Sequence, residues 1–167
     1  MIRGSVLACS AFAVVVTCTA RLAGETQVRR QGPAQVPIEV SLKAGSAPYA
    51  AKGPGSCTHA PKASIYNIPA QLWSIRQESG ERSVQLTVWK PADGASMMFS
   101  VAVNGPAQRT AISTVRGGQV TGSGTVTLTA AAKGGTFTVD AKTSKGESVT
   151  GTIKCEAFTP HIADGGN

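Results

Sequence analysis

The chain is poor in the residues that most chemistry needs. Histidine occurs twice in 167 residues, charged side chains make up 15% and aromatic ones 5%. The two histidines, His59 and His161, fall in loop-like or terminal sequence with no nucleophile beside them in the pattern, so no Ser-His-Asp arrangement can be built from spacing. The acids between Cys57 and Phe158, Glu78, Glu81, Asp93, Asp140, Glu147 and Glu156, lie mostly in turn sequence or on polar strand faces, which marks no paired carboxylates of the glycosidase kind. The glycine-rich stretch GGQVTGSG (117–124) is not closed by Gly-Lys-Ser/Thr and leads into a strand pattern, which excludes a phosphate loop. No CxxC and no paired His accompany His59 and Cys57, so neither a metal site nor a cofactor is expected. Between Cys57 and Phe158 no helical period appears, and no apolar run reaches the roughly 20 residues that a membrane-spanning helix requires.

What the chain has in excess is positive charge, +7 formally. Arg21, Arg29, Arg30, Lys43 and Lys52 stand in the N-terminal third, and the remaining cations are scattered among acids up to Lys154. Scattered charge of this kind keeps a protein soluble and attracts anionic surfaces weakly. A basic stripe interleaved with aromatics is missing, so specific nucleic-acid recognition is not expected.

Residues 1–20, MIRGSVLACSAFAVVVTCTA, carry one early cation, Arg3, an apolar run from Val6 to Val16 and then small residues. That is the layout of a secretory signal peptide. Two processing routes are compatible with it. Cys18 and Ala20 suit the small-residue demand at positions −3 and −1 of a peptidase site, giving cleavage after Ala20. Alternatively Val-Val-Thr-Cys ending at Cys18 is a degenerate lipobox, with Thr17 where Gly, Ala or Ser is usual, and Cys18 becomes the lipidated first residue of the mature chain. Cys9 leaves with the leader in both routes. Residues 21–35 are aperiodic and read as a flexible basic linker.

After processing, Cys57 and Cys155 remain as an even pair in an oxidising compartment, which predicts a disulfide between them. Closing a loop of 98 positions stabilises by about 4.7 kcal/mol in the chain-entropy estimate, comparable to the net stability of a small domain.

The rest of the pattern is strand. Val36, Ile38, Val40 and Leu42 alternate in an early strand, followed by KAGSAPYAAKGPGS, which reads as turn chemistry. SIYNIPAQLWSI is split by Asn67-Ile68-Pro69. SVQLTVW and SMMFSVAV form a hairpin across KPADGA, and TAISTV is a shorter strand. GTVTLTAA, GTFTVDA and SVTGTIKC form a meander in which Val149, Ile153 and Cys155 share the inner face. The expected fold is all-β: an antiparallel β-sandwich or squat barrel of seven to nine strands over residues 36–158, closed by one disulfide and followed by a flexible tail, 159–167. Trp73 shares parity with Ile75 and belongs to the core. Trp89 falls on the polar face of its strand, and with Tyr66 it is the candidate ligand-binding aromatic pair, for instance a carbohydrate platform.

A short strand and turn, IEVSLKAG, then Gly55-Ser56-Cys57, then threonine-rich strands with KGGTFTV and a closing GTIKC resemble the mycobacterial 19 kDa lipoprotein antigen family over residues 38–155. The resemblance implies a surface or envelope β domain held on a linker, without catalysis to carry over. The expected function is therefore a noncatalytic exported or cell-envelope interaction module with an envelope or extracellular partner. The alternatives are a small secreted hydrolase whose site is assembled only in the fold, or a carbohydrate-binding module.

Overall fold

The computed structural model describes residues 33–160. Cys18, the signal segment, most of the linker and His161 lie outside the described residues. Within them the chain runs through β1 (Gln35–Ala44), β2 (Ala47–Ile65), β3 (Ile68–Ser79), β4 (Arg82–Pro91), β5 (Met98–Asn104), β6 (Arg109–Ser113), β7 (Gly122–Ala130), β8 (Gly135–Thr143), β9 (Ser148–Cys155) and β10 (Thr159–Pro160), with no helix. One sheet holds them all in the order β6-β5-β4-β3-β2-β1-β9-β8-β7, and β10 lies beside β2. Every pairing along that path is antiparallel; only β10 runs parallel to its neighbour. The two ends of the path meet at Thr121, whose N–H donates to Ser113 O at 3.0 Å and whose Oγ1 accepts from Ser113 N–H at 2.9 Å. The nine-strand sheet is thus nearly closed into a barrel, the second of the two architectures the sequence allowed.

Strand alternation decides what fills it. Val36, Ile38, Val40 and Leu42 from β1, Val84, Leu86 and Val88 from β4, Phe99 and Val101 from β5, and Phe137 and Val139 from β8 are all buried in one core. Their neighbours in sequence point outward, the period of two expected when one face of a sheet is wet. Gly151 lies on the inner face of β9 between Leu42 and Val139. Its φ of +133° and the Ser41 carbonyl oxygen only 2.1 Å from where a Cβ would stand leave no room for a side chain, so only glycine fits at this point of the strand.

One reading of the sequence is corrected. KAGSAPYAAKGPGS is not an extended turn: a tight turn at Gly45-Ser46, with φ +60° at Gly45, reverses the chain at once, and residues 47–65 form a single strand of 19 residues. The prolines that suggested a loop are tolerated for a geometric reason. Ala44 faces Ala47 across the two-residue turn, so the odd-numbered residues of β2 direct their backbone groups to β1 and the even-numbered ones away from it. Pro48 and Pro54 are even, and β3 begins to pair only at Gly55. Their missing N–H groups therefore fall where β2 has no second neighbour. At its far end β2 turns into β3 through Tyr66-Asn67, both with positive φ (50° and 64°), the conformation of a type I′ hairpin turn.

Candidate functional site

The two ends of the barrel are built from different materials. At one end the Cys57–Cys155 disulfide, with Cα atoms 6.2 Å apart, joins β2 to β9 inside the core, as the cysteine count predicted. Above it His59 and Trp73, directly opposite each other on β2 and β3, stack at 4.6 Å between centroids and 5° between planes. Phe137 meets Trp73 edge-on at 6.5 Å, and Phe158 meets Phe137 at 6.0 Å. The C-terminal segment straps this end shut. Phe158 N–H donates to Lys133 O at 2.8 Å, and Thr159 Oγ1 donates to Cys57 O at 3.2 Å as β10 runs beside β2. Pairing continues past Phe158 into what the sequence suggested was loose tail.

The opposite end is framed by the turns β1–β2 (Gly45-Ser46), β3–β4 (Gly80-Glu81) and β5–β6 (Gly105–Gln108). They surround a pocket of about 200 Å³. Its floor is Tyr49, Val103 and Thr110, all buried, and Pro48, Pro106 and Ala107 form apolar walls. Tyr49 and Gln77, on the inner faces of β2 and β3, are both buried, at 3% and 2% exposure, and the phenol hydroxyl donates to Gln77 Oε1 at 2.7 Å. Gln77 Nε2 in turn donates to Glu78 O at 3.1 Å. Buried polar groups so paired hold one geometry, because leaving either partner bare would cost its desolvation. Burial pushes the Tyr49 phenol above its usual pKa; the Arg82 guanidinium pulls it down and the Glu78 carboxylate adds to the rise. The ring is therefore neutral at ordinary pH and presents its face to Arg82, whose Cζ stands 5.9 Å from the centroid, within cation–π range.

The polar side chains around the pocket are already engaged, with one exception. Asn104 Nδ2 donates to Ser83 Oγ at 2.9 Å. Thr110 Oγ1 donates to Glu147 Oε1 at 3.0 Å, and Gln108 Nε2 donates to the same oxygen. Arg82 is exposed and forms no hydrogen bond or ion pair among the described residues. The nearby carboxylate of Glu78 is occupied by Arg76, through Nε at 2.9 Å and Nη2 at 2.6 Å.

The aromatic pair singled out in the sequence sits elsewhere. Trp89 lies opposite Met98, half-buried against a small apolar cluster of Ile65, Ala70 and Met98. Tyr66 is 56% exposed at the hairpin turn and rests over Gly117, where a Cβ would come within 3.0 Å of its ring. The fold gathers both residues around the β2–β3 hairpin tip, but neither ring takes part in an aromatic pair among the described residues. His59 Nε2 is buried without a hydrogen-bond partner, so this histidine is aimed at no serine or carboxylate. Among the described residues no group of three or more His, Cys, Asp and Glu is placed to hold a metal ion.

The pocket end went unread in the sequence because Tyr49 lay in the stretch taken for a turn. The usable signal was parity: Tyr49, Ala51, Gly53, Gly55 and Cys57 alternate on one face, as do Trp73, Ile75 and Gln77. Comparison of the chain with protein-family models, with curated proteins and with solved structures finds no match.

Proposed function

We propose that the protein is a noncatalytic exported or cell-envelope binding module, working through the pocket framed by the β1–β2, β3–β4 and β5–β6 turns. The observation that carries this reading is the pocket itself: apolar walls, a floor fixed by the Tyr49–Gln77 bond, and one guanidinium that forms no hydrogen bond or ion pair among the described residues. Apolar lining with a few oriented polar groups is the common make-up of small-ligand sites. The secretory layout of residues 1–20 and the disulfide both suit an oxidising, extracytoplasmic location, and the resemblance to the 19 kDa lipoprotein antigens agrees with an envelope domain on a linker. A fragment screen by NMR on the isotope-labelled chain tests the binding reading. Shifts centred on Tyr49, Arg82 and Gly105 are expected; hits that avoid this end altogether contradict it. Intact mass of the protein from its own host tests the export reading. The chain should begin at Arg21, or at an acylated Cys18, and full-length chain starting at Met1 as the sole form contradicts it.

A second reading keeps Tyr66 and Trp89 as a carbohydrate platform, favoured by the 56% exposure of Tyr66 on a rigid two-residue turn. Tyr66→Ala and Trp89→Ala should then each weaken glycan binding. Unchanged binding in both variants removes this reading.

A further inference from the structure

We infer that the pocket is selective for a carboxylate carried on a compact apolar group, with Arg82 as the anion-binding residue. The inference rests on the binding reading above and adds the chemical class of the ligand.

Three observations converge on it. The first is the inventory of donors: Tyr49, Asn104, Gln108 and Thr110 each spend a donor on another protein group, which leaves the Arg82 guanidinium as the uncommitted charged donor of the lining. A guanidinium offers parallel N–H groups that match the two oxygens of a carboxylate. The second is that its charge is not cancelled locally. The Tyr49 phenol beneath it holds its proton more tightly than usual because it is buried, Glu78 is paired with Arg76, and Glu147, whose carboxylate accepts from Gln108 and Thr110, lies outside the lining and forms no ion pair with Arg82. The excess of cations over acids, +7 for the full sequence and one less once Arg3 leaves with the leader, also draws small anions toward the surface.

The third is size and polarity. About 200 Å³ is below the range of ordinary drug-sized sites and accommodates roughly ten non-hydrogen atoms. Beyond the guanidinium the lining is proline, alanine, valine and glycine together with Tyr49, Asn104, Gln108 and Thr110, whose polar groups are neutral and already bonded within the protein, which suits a branched or short hydrocarbon and gives a second charge no opposite charge to pair with. The same chemistry is presented by a free short-chain acid and by the C-terminus of a peptide ending in a small apolar residue, where a terminal carboxylate adjoins an aliphatic side chain.

The test is titration of the isotope-labelled full chain, followed by NMR, with four probes: 3-methylbutanoate, 3-methylbutanamide, and a short peptide ending in valine with either a free or an amidated C-terminus. The inference expects a carboxylate probe to shift Arg82 Nε–H and the Gly105 amide, and its neutral amide to bind at least about tenfold more weakly, the effect of losing a charge-assisted hydrogen bond. Arg82→Gln should weaken the carboxylate by a similar factor and leave the amide unchanged, while Arg82→Lys should restore part of the loss. The free acid against the peptide then tells which source fits better. If amides bind as tightly as carboxylates, the pocket is a binding site but the anion class is wrong. If no probe moves these resonances, both the class and the pocket reading fall.

Discussion

The disulfide end and the pocket end of this barrel solve the same problem in opposite ways. Both must close off a sheet whose interior is Val, Ile, Leu and Phe. The disulfide end does so with covalent and aromatic material: Cys57–Cys155, the His59–Trp73 stack, Phe137 and Phe158, under a strap that runs back along β2. The pocket end does so with hydrogen bonds between long side chains, Tyr49 to Gln77 and Thr110 and Gln108 to Glu147, and stays open beneath its turns. Packed rings fill volume chiefly through their apolar area, whereas paired polar groups fix positions and leave directed surfaces beside them. The first arrangement favours stability, and the second fits the binding role proposed for the pocket.

That contrast orders the expected effects of substitution. Replacing both Cys57 and Cys155 by Ala removes the 98-residue closure and should lower unfolding free energy by about 2–5 kcal/mol; equilibrium urea denaturation reads it directly. Trp73→Ala empties a 5%-exposed site against His59 and Phe137 and should cost about 3–5 kcal/mol. A loss under 1 kcal/mol in either variant would show that the strap and the strand pairing hold this end unaided.

At the pocket end the losses should be smaller and chemically specific. Tyr49→Phe keeps the ring and strands Gln77 Oε1, a loss of about 1–3 kcal/mol. The same position has a pH signature. Because the phenol pKa is raised in the folded state above its unfolded value of 10.0, the folded chain binds more protons than the unfolded chain once pH exceeds about 10. Stability from this group is complete below pH 10 and is lost as pH rises through the folded pKa. Tyr49→Phe should therefore flatten the alkaline side of the stability profile, measured by thermal unfolding between pH 8 and 11. An unchanged alkaline slope would mean that other groups govern it. Smallest of all, Arg82→Gln should cost no more than about 0.5–1 kcal/mol, the worth of an exposed cation–π contact with Tyr49.

How far the sequence revealed each end follows from the same physics. Period-two alternation is a local property, so β4, β5, β8 and β9 and the inward direction of Cys155 could be read residue by residue. The disulfide followed from cysteine parity and compartment. Trp73 was placed in the core by its parity with Ile75. Tyr49 was not placed, because Pro48 and Pro54 suggested a loop, and their harmlessness depends on β3 not yet pairing there, which no local pattern states. The pocket is non-local in the same sense. Tyr49, Arg82 and Thr110 come from three separate hairpins, and no spacing in the chain announces that their turns converge. Nearness of β6 to β7, and with it the barrel rather than the sandwich, rests on the Ser113–Thr121 bonds, within a stretch whose glycines signalled only a connection.

The most direct test of the division of labour is one paired experiment on Trp73→Ala and Arg82→Gln, measuring urea unfolding and 3-methylbutanoate affinity for both. The account predicts that Trp73→Ala loses several kcal/mol of stability while its folded fraction binds with unchanged Kd, and that Arg82→Gln keeps its stability but loses at least about tenfold in affinity. If both variants lose binding and stability together, the two ends are not separate structural and recognition elements, and the account is wrong.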